Sequence, residues 1–216
     1  MKAVLWDMDG TLVDTEPLWI EAEQDMATEY GGTWTDADAM ELVGNNLLDS
    51  GIYIKQRMGL EATPEEVVDD LLERVVAKMT DDVPWRPGAL ELLASLDESG
   101  VRCALVTMSY TSFVAPILRQ LAPETFRVVV TGDRVTHGKP HPEPYLTAAA
   151  ALGVPPEECV AIEDSNTGAK SAEAAGCLVL VVENHVPVLE GPRRVFRDTL
   201  AGLTAADLSA LSVPED

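Results

Sequence analysis

Residues 2–11 read KAVLWDMDGT, a short apolar run that ends in two carboxylates, Asp7 and Asp9. In an extended backbone, side chains two residues apart share a face, and Gly10 allows the chain to turn back tightly after them. A continuous apolar run of this length is typical of a strand that is buried on both faces, as in a parallel sheet. We therefore take residues 2–7 as the first strand of such a sheet.

Similar apolar runs recur along the chain and alternate with helical patterns. The further runs are 101–107, 127–131, 160–163 and 178–182, and the helical patterns are 90–98, 144–152 and 168–175. Alternating strands and helices predict an α/β fold with a doubly wound parallel sheet. In such sheets, ligands bind at the carboxyl ends of the strands.

Residues 15–86 interrupt this alternation with a segment in which we find no strand pattern. Apolar residues repeat every four positions from Leu18 to Tyr30, and residues 63–66 (TPEE) form a helix-capping box with Pro in the first turn. The segment carries 17 acidic and 5 basic residues. We predict a small α-helical insert at 15–86 within an α/β unit of 1–14 and 87–216.

The charge balance argues against two classes of partner. The chain has 37 acidic and 15 basic residues, a formal net charge of −22. So acidic a protein repels nucleic acid and anionic lipid unless its cations are clustered. The densest cationic group is only Arg193, Arg194 and Arg197. We therefore expect neither a nucleic-acid nor a membrane partner.

Cysteine content and hydropathy predict where the protein resides. Three cysteines without a CxxC pair are too few for a disulfide framework and do not suggest a zinc site. We find no signal-peptide pattern and no apolar stretch long enough to span a bilayer. We expect a cytoplasmic protein, and a monomer because no long apolar surface stripe is left over.

Polar side chains follow the other predicted strands where each one ends. Thr107, Met108 and Ser109 follow the second strand, and Lys139 lies between glycine and prolines after the third. The fourth strand ends in a second acidic pair, Glu163 and Asp164. Two acidic pairs at one edge repel each other unless a cation lies between them, and oxygen ligands favour Mg²⁺. The sequence therefore predicts a magnesium site at this edge.

Taken in order, these motifs resemble those of the haloacid dehalogenase superfamily, in its phosphatase-type branch with a helical cap after the first strand. The motifs are DMDGTLVDTEP at 7–17, Thr107, Lys139 in GKPHP, and Glu163-Asp164-Ser165 followed by Gly168. The resemblance implies a Rossmann-like core. It also implies a Mg²⁺-dependent phosphatase whose substrate is a small phosphorylated metabolite, such as a sugar phosphate.

The resemblance also implies a role for each motif residue. Asp7 is expected to attack phosphorus and form an aspartyl-phosphate. Asp9 is expected to protonate the leaving alcohol and then to deprotonate water. The expected Mg²⁺ ligands are Asp7, the backbone carbonyl of Asp9, and Asp164, with support from Glu163. The expected phosphate-binding groups are Lys139, Thr107 and the backbone amides near Met108 and Ser109.

The cap residues expected to contact the leaving group are Glu16, Trp19, Asn45, Asn46 and Lys78. Trp19 stands where the similar β-phosphoglucomutases have a histidine, and residues 44–47 (GNNL) lack the arginine of those mutases. The phosphatase is therefore favoured over a hexose phosphomutase. A phospho-accepting signalling module, which gathers the same residue types, is a third alternative and lacks a helical insert.

Overall fold

The computed structural model describes residues 1–42, 47–79 and 83–212. Two compact units are distinct in it, a sheet unit of Met1–Asp14 with Pro84–Asp216 and a helical unit of Thr15–Val83. The second boundary lies three residues before the position expected from the sequence. The reason is that Trp85 forms a bridge with Val13 and the Arg86 N–H donates to the carbonyl of Leu12.

Within its described residues, the sheet unit is built on six parallel strands. They are β1 (Ala3–Trp6), β2 (Arg102–Val106), β3 (Val128–Val130), β4 (Cys159–Glu163), β5 (Leu178–Val181) and β6 (Arg194–Phe196). Their order is β3-β2-β1-β4-β5-β6, and every neighbouring pair is parallel. This topology confirms the predicted α/β fold with a doubly wound sheet. It places β1 between β2 and β4, so the residues after β1 lie at the middle of the sheet edge.

The helices within the described ranges follow from the patterns between the strands. In the helical unit they are α1 (Glu16–Tyr30), α2 (Asp36–Leu42), α3 (Leu47–Met58) and α4 (Pro64–Lys78). In the sheet unit they are α5 (Ala89–Glu98), α6 (Thr111–Leu118), α7 (Glu143–Leu152), α8 (Asn166–Ala175) and α9 (Ala205–Ser209). Helices α7 and α8 pack together and cover one face of the central strands, whereas α5 packs against β2 and α9.

The helix-capping box read from residues 63–66 is confirmed. The Thr63 hydroxyl accepts from the Glu66 N–H, and the Glu66 carboxylate accepts from the Thr63 N–H, which completes the capping box of α4. Gly31 ends α1 in the left-handed conformation, with φ of +73°. None of the helices in the described ranges combines the length and the apolar character of a bilayer-spanning helix.

Strand β6 was not predicted from the sequence, because it is not an apolar run. It has three residues and begins with Arg194. The Arg194 guanidinium is buried and donates to the Glu173 carboxylate, so its charge is compensated inside the fold. A charged residue buried by pairing carries no hydropathy signal, and this explains the omission.

Candidate active site

The ends of β1 and β4 bring two carboxylates to one lysine. Asp7 directly follows β1, and Glu163 is the last residue of β4. The Lys139 ammonium donates to Asp7 Oδ1 at 2.6 Å and to Glu163 Oε1 at 2.7 Å. The Lys139 side chain is only 5% exposed. Lys139 thus lies in a buried ion-pair network at the middle of the sheet edge.

A third carboxylate leaves this network with an excess of negative charge. One oxygen from each of Asp7, Glu163 and Asp164 lies within 4.8 Å of the other two. Burial and the charge of Glu163 raise the pKa of Asp7 to about 7, although Lys139 opposes the shift. Burial and the charge of Asp7 likewise raise the pKa of Asp164. Burial alone would lower the pKa of Lys139, but Asp7 and Glu163 outweigh it and raise that pKa.

One oxygen of Asp7 is left open by these contacts. Lys139 holds Oδ1, whereas Oδ2 is buried and has no hydrogen-bond partner within the described residues. Gly10 is essential to the loop that follows, because a Cβ at this position would collide with the Asp164 carboxylate. Its φ of +84° is also unfavourable for other residues. The crowded carboxylates of Asp7, Glu163 and Asp164 offer only oxygen donors, a set that fits a hard divalent cation.

The side chains after β2 contact Asp9. The Ser109 hydroxyl donates to Asp9 Oδ2 at 2.7 Å, and the Thr107 hydroxyl donates to the same oxygen at 3.2 Å. The Ser109 N–H donates to Thr107 Oγ1 at 3.0 Å. The Met108 sulfur accepts from the backbone N–H of Lys139 at 3.2 Å, so it contacts the lysine loop. Asp9 Oδ2 therefore accepts hydrogen bonds from two hydroxyls at the end of β2.

Comparison with known proteins gives the family of this chain. The family described as haloacid dehalogenase-like hydrolases matches residues 4–182 of this chain. The chain belongs to this family.

Two relatives of this chain are phosphatases by name, and a solved structure of similar fold contains phosphate. Hexitol phosphatase B of Escherichia coli strain K12 is 30% identical over 222 residues, which cover 95% of this chain and 96% of that protein. The phosphorylated carbohydrates phosphatase of Thermotoga maritima is 34% identical over 186 residues, 82% of each chain. The crystal structure of CbbY from Rhodobacter sphaeroides in complex with phosphate has a TM-score of 0.84 at 29% identity, covering 97% and 99%. The predicted class of enzyme, a phosphoric monoester hydrolase, is confirmed.

All the core residues selected from the sequence lie at this one edge of the haloacid dehalogenase-like core. They are Asp7, Asp9, Thr107, Met108, Ser109, Lys139, Glu163 and Asp164. The residues selected in the cap belong to the helical unit. Lys78 pairs with Glu21 at 3.2 Å and with Asp25 at 2.8 Å inside the helical unit. Glu16 and Trp19 are half-buried near the start of α1, and Asn45 and Asn46 lie outside the described residues.

Tyr145 is a residue of the site that the sequence analysis did not select. It is fully buried on α7, and its hydroxyl donates to Glu163 Oε1 at 2.6 Å. The Lys139 ammonium lies 5.2 Å from the centre of its ring, within range of a cation–π contact. Burial and the charges of Glu163 and Asp7 raise the pKa of Tyr145, so the hydroxyl remains a donor. A single tyrosine at a helix core position gives no sequence signal of this contact.

We expect Tyr145→Phe to destabilise the protein by about 1.5–3 kcal/mol, the usual range for a hydrogen bond to a charged group. The substitution leaves the buried Glu163 carboxylate without one of its donors. Tyr30→Phe is a matched control, because the Tyr30 hydroxyl also donates to a carboxylate, Asp70 at 2.8 Å, but on the exposed surface. Urea unfolding measures both variants. Equal, small losses in the two variants would contradict a special role for the buried contact.

Proposed function

We propose that this protein is a Mg²⁺-dependent phosphatase that hydrolyses a small phosphorylated sugar or sugar alcohol through an aspartyl-phosphate on Asp7. The open Oδ2 of Asp7, buried beside an oxygen that Lys139 holds, is the observation that carries the proposal. A nucleophile needs an oxygen that the protein itself does not occupy. The substrate class is supported by the similarity to phosphatases named for hexitols and phosphorylated carbohydrates.

The carboxylate cluster supports the choice of cation. Asp7, Asp164 and the backbone carbonyl of Asp9 would hold Mg²⁺, with Glu163 in support. These donors are all oxygen atoms, as a hard cation prefers. When bound, the cation supplies positive charge that offsets the negative charge of the phosphoryl group.

The residues of the chain account for each bond that changes. Lys139 orients Asp7, whose Oδ2 forms a bond to phosphorus while the bond from phosphorus to the leaving oxygen breaks. Protonated Asp9 donates its proton to that oxygen, so the product leaves as an alcohol. A water molecule then attacks phosphorus and gives a proton to Asp9. Breaking the acyl-phosphate bond releases inorganic phosphate and restores Asp7.

The proposal includes the two predicted domains. The core carries out catalysis, and the helical cap, with Glu16 and Trp19, contributes to substrate selectivity. It also includes the monomeric state and the cytoplasmic location expected from the sequence. All three cysteines are buried and unpaired, which is compatible with a reducing compartment.

Phosphate release from a panel of hexitol phosphates, sugar phosphates and nucleotides, with Mg²⁺ present, tests the function. We expect the highest kcat/KM for a hexitol or sugar phosphate. Product analysis with a hexose 1-phosphate separates the mutase alternative, because a mutase returns an isomerised sugar phosphate and a phosphatase returns free phosphate. Isomerised sugar without phosphate release would overturn the proposal.

Asp7→Asn should reduce turnover by more than about 10³-fold, because the amide cannot act as the nucleophile. The variant should remain folded, since the substitution conserves size and removes one of the crowded charges. Circular dichroism and single-turnover phosphate release measure the two expectations. Asp133→Asn is the control, since this exposed carboxylate caps Thr111 outside the cluster. Substantial turnover by folded Asp7→Asn would rule out the covalent step.

Asp9→Asn should slow turnover by about 10²–10⁴-fold, the usual contribution of general acid–base catalysis. In the first step the loss should be smaller for aryl phosphates than for alkyl phosphates, because aryl leaving groups need little protonation. Single-turnover kinetics on one substrate of each kind gives the comparison, and Mg²⁺ affinity should remain unchanged. An equal loss on both substrates, with a sharp fall in Mg²⁺ affinity, would instead make the Asp9 side chain a metal ligand.

Asp164→Asn should raise the melting temperature of the metal-free protein and remove the further rise that Mg²⁺ causes. The substitution relieves repulsion with Asp7 and Glu163, and about 1 kcal/mol corresponds to roughly 2–4 °C at this size. The folded pKa of Asp7 is raised from 3.8 to about 7. The stability that the Asp7 carboxyl contributes is therefore fully present below about pH 4 and is lost as pH rises through 7.

The gain in Asp164→Asn should accordingly be larger at pH 8 than at pH 5. Thermal unfolding at both pH values, with and without Mg²⁺, measures it. A lower melting temperature in the metal-free variant, or an unchanged response to Mg²⁺, would show that Asp164 is not part of a cation site.

A further inference from the structure

Three metal-binding side chains that the proposed mechanism does not use lie together on the loop that carries Lys139. One ligand atom from each of His137, His141 and Glu143 lies within 4.8 Å of the other two. The two imidazole rings are exposed, and their centres are 4.6 Å apart with the planes inclined at 33°. We call these three residues the histidine cluster.

The hydrogen bonds of the histidine cluster determine which ring nitrogens have lone pairs. His137 Nδ1 lies 2.8 Å from Glu143 Oε2, and because a carboxylate only accepts, Nδ1 carries the proton. The lone pair of His137 is therefore on Nε2. The Glu143 N–H donates to His141 Nδ1 at 3.2 Å, so the lone pair of His141 is on Nδ1, and a metal at this nitrogen takes the place of that hydrogen bond. In its neutral form, each ring then has one nitrogen that binds a metal without losing a proton.

Glu143 holds the first of these rings in a fixed orientation. Its carboxylate accepts the backbone N–H of Thr136 at 2.6 Å and that of His137 at 3.0 Å, in addition to the His137 ring. A histidine that ligates a metal usually donates its other ring N–H to a carboxylate or carbonyl in this way. The loop therefore already has the outer partner that a metal-bound histidine requires.

The donor atoms distinguish this cluster from the carboxylates around Asp7. Imidazole nitrogens favour Zn²⁺ and similar transition metals, whereas Mg²⁺ prefers oxygen ligands. With Zn–N distances of about 2.0–2.1 Å, two ligands of a tetrahedral ion lie about 3.4 Å apart. Both rings are exposed, so they can turn about their side-chain bonds to bring His137 Nε2 and His141 Nδ1 to this separation. The net charge of −22 also favours cation binding over anion binding.

We propose that His137 Nε2 and His141 Nδ1, with Glu143 as the orienting partner, form a Zn²⁺ site separate from the carboxylate cluster. Lys139 lies two residues from each histidine in the chain. A bound ion therefore bridges the two sides of the loop that positions the Lys139 ammonium. The proposal goes beyond the phosphatase function and does not depend on it, because its test measures binding rather than turnover.

The test is a calorimetric titration of the full chain with ZnCl₂ at saturating MgCl₂, together with NMR spectra of the histidine rings. We expect one Zn²⁺ per chain that is lost when His137→Ala and His141→Ala are combined. His185→Ala is the matched control and should retain it, because the third histidine of the sequence pairs with Asp14. On binding, the ring resonances of His137 and His141 should shift while those of His185 stay in place.

Two results would overturn the site. One is the same Zn²⁺ stoichiometry and affinity in the double variant as in the wild type. The other is no shift of the His137 and His141 resonances up to saturation with Zn²⁺. Glu143→Gln tests the orienting partner and should weaken binding by about 10–100-fold, as for other outer-shell substitutions. An unchanged affinity in this variant would remove Glu143 from the site.

Discussion

The buried ammonium of Lys139 is the constraint on which the rest of the site depends. It holds one oxygen each of Asp7 and Glu163 where water cannot compensate their charges. Removing one partner of a buried ion pair leaves an uncompensated charge, which is strongly destabilising. Tyr145 and Ser165 complete the coordination of Glu163, the latter through a hydroxyl 3.1 Å from Oε2. Lys139 also attracts the third carboxylate, Asp164, but one positive charge cannot offset three carboxylates, and this excess negative charge is what favours a cation.

The parallel sheet brings these charges together, and small residues make room for them. Trp6 pairs with Ile162 in register, so the next residue of each strand, Asp7 and Glu163, lies at the same level of the edge. Side chains at Gly10 and Gly168 would collide with the carboxylates of Asp164 and Glu163, respectively. These glycines are thus a consequence of crowding three carboxylates into one edge.

Topology explains why much of this site could be predicted from the sequence. Polar residues that follow buried apolar runs must meet at one edge once the strands are parallel, so Asp7, Lys139 and Glu163 could be grouped without coordinates. The Tyr145 contact could not, because Tyr145 precedes a run of alanines on α7 and resembles an ordinary core residue. Strand β6 was missed for the opposite reason, since its buried Arg194 resembles a surface residue.

The contacts of Asp9 add a step that the sequence did not indicate. Thr107 was expected to bind the phosphate, together with the backbone amides near Met108 and Ser109, but the hydroxyls of Thr107 and Ser109 both donate to Asp9 Oδ2. A hydroxyl has one proton to donate, so it cannot serve Asp9 and a phosphoryl oxygen at the same time. For Thr107 to bind the phosphoryl group as the resemblance implies, its hydroxyl must therefore leave Asp9 Oδ2. Substrate binding then removes one of the hydrogen bonds that Asp9 accepts, which couples proton transfer by Asp9 to binding.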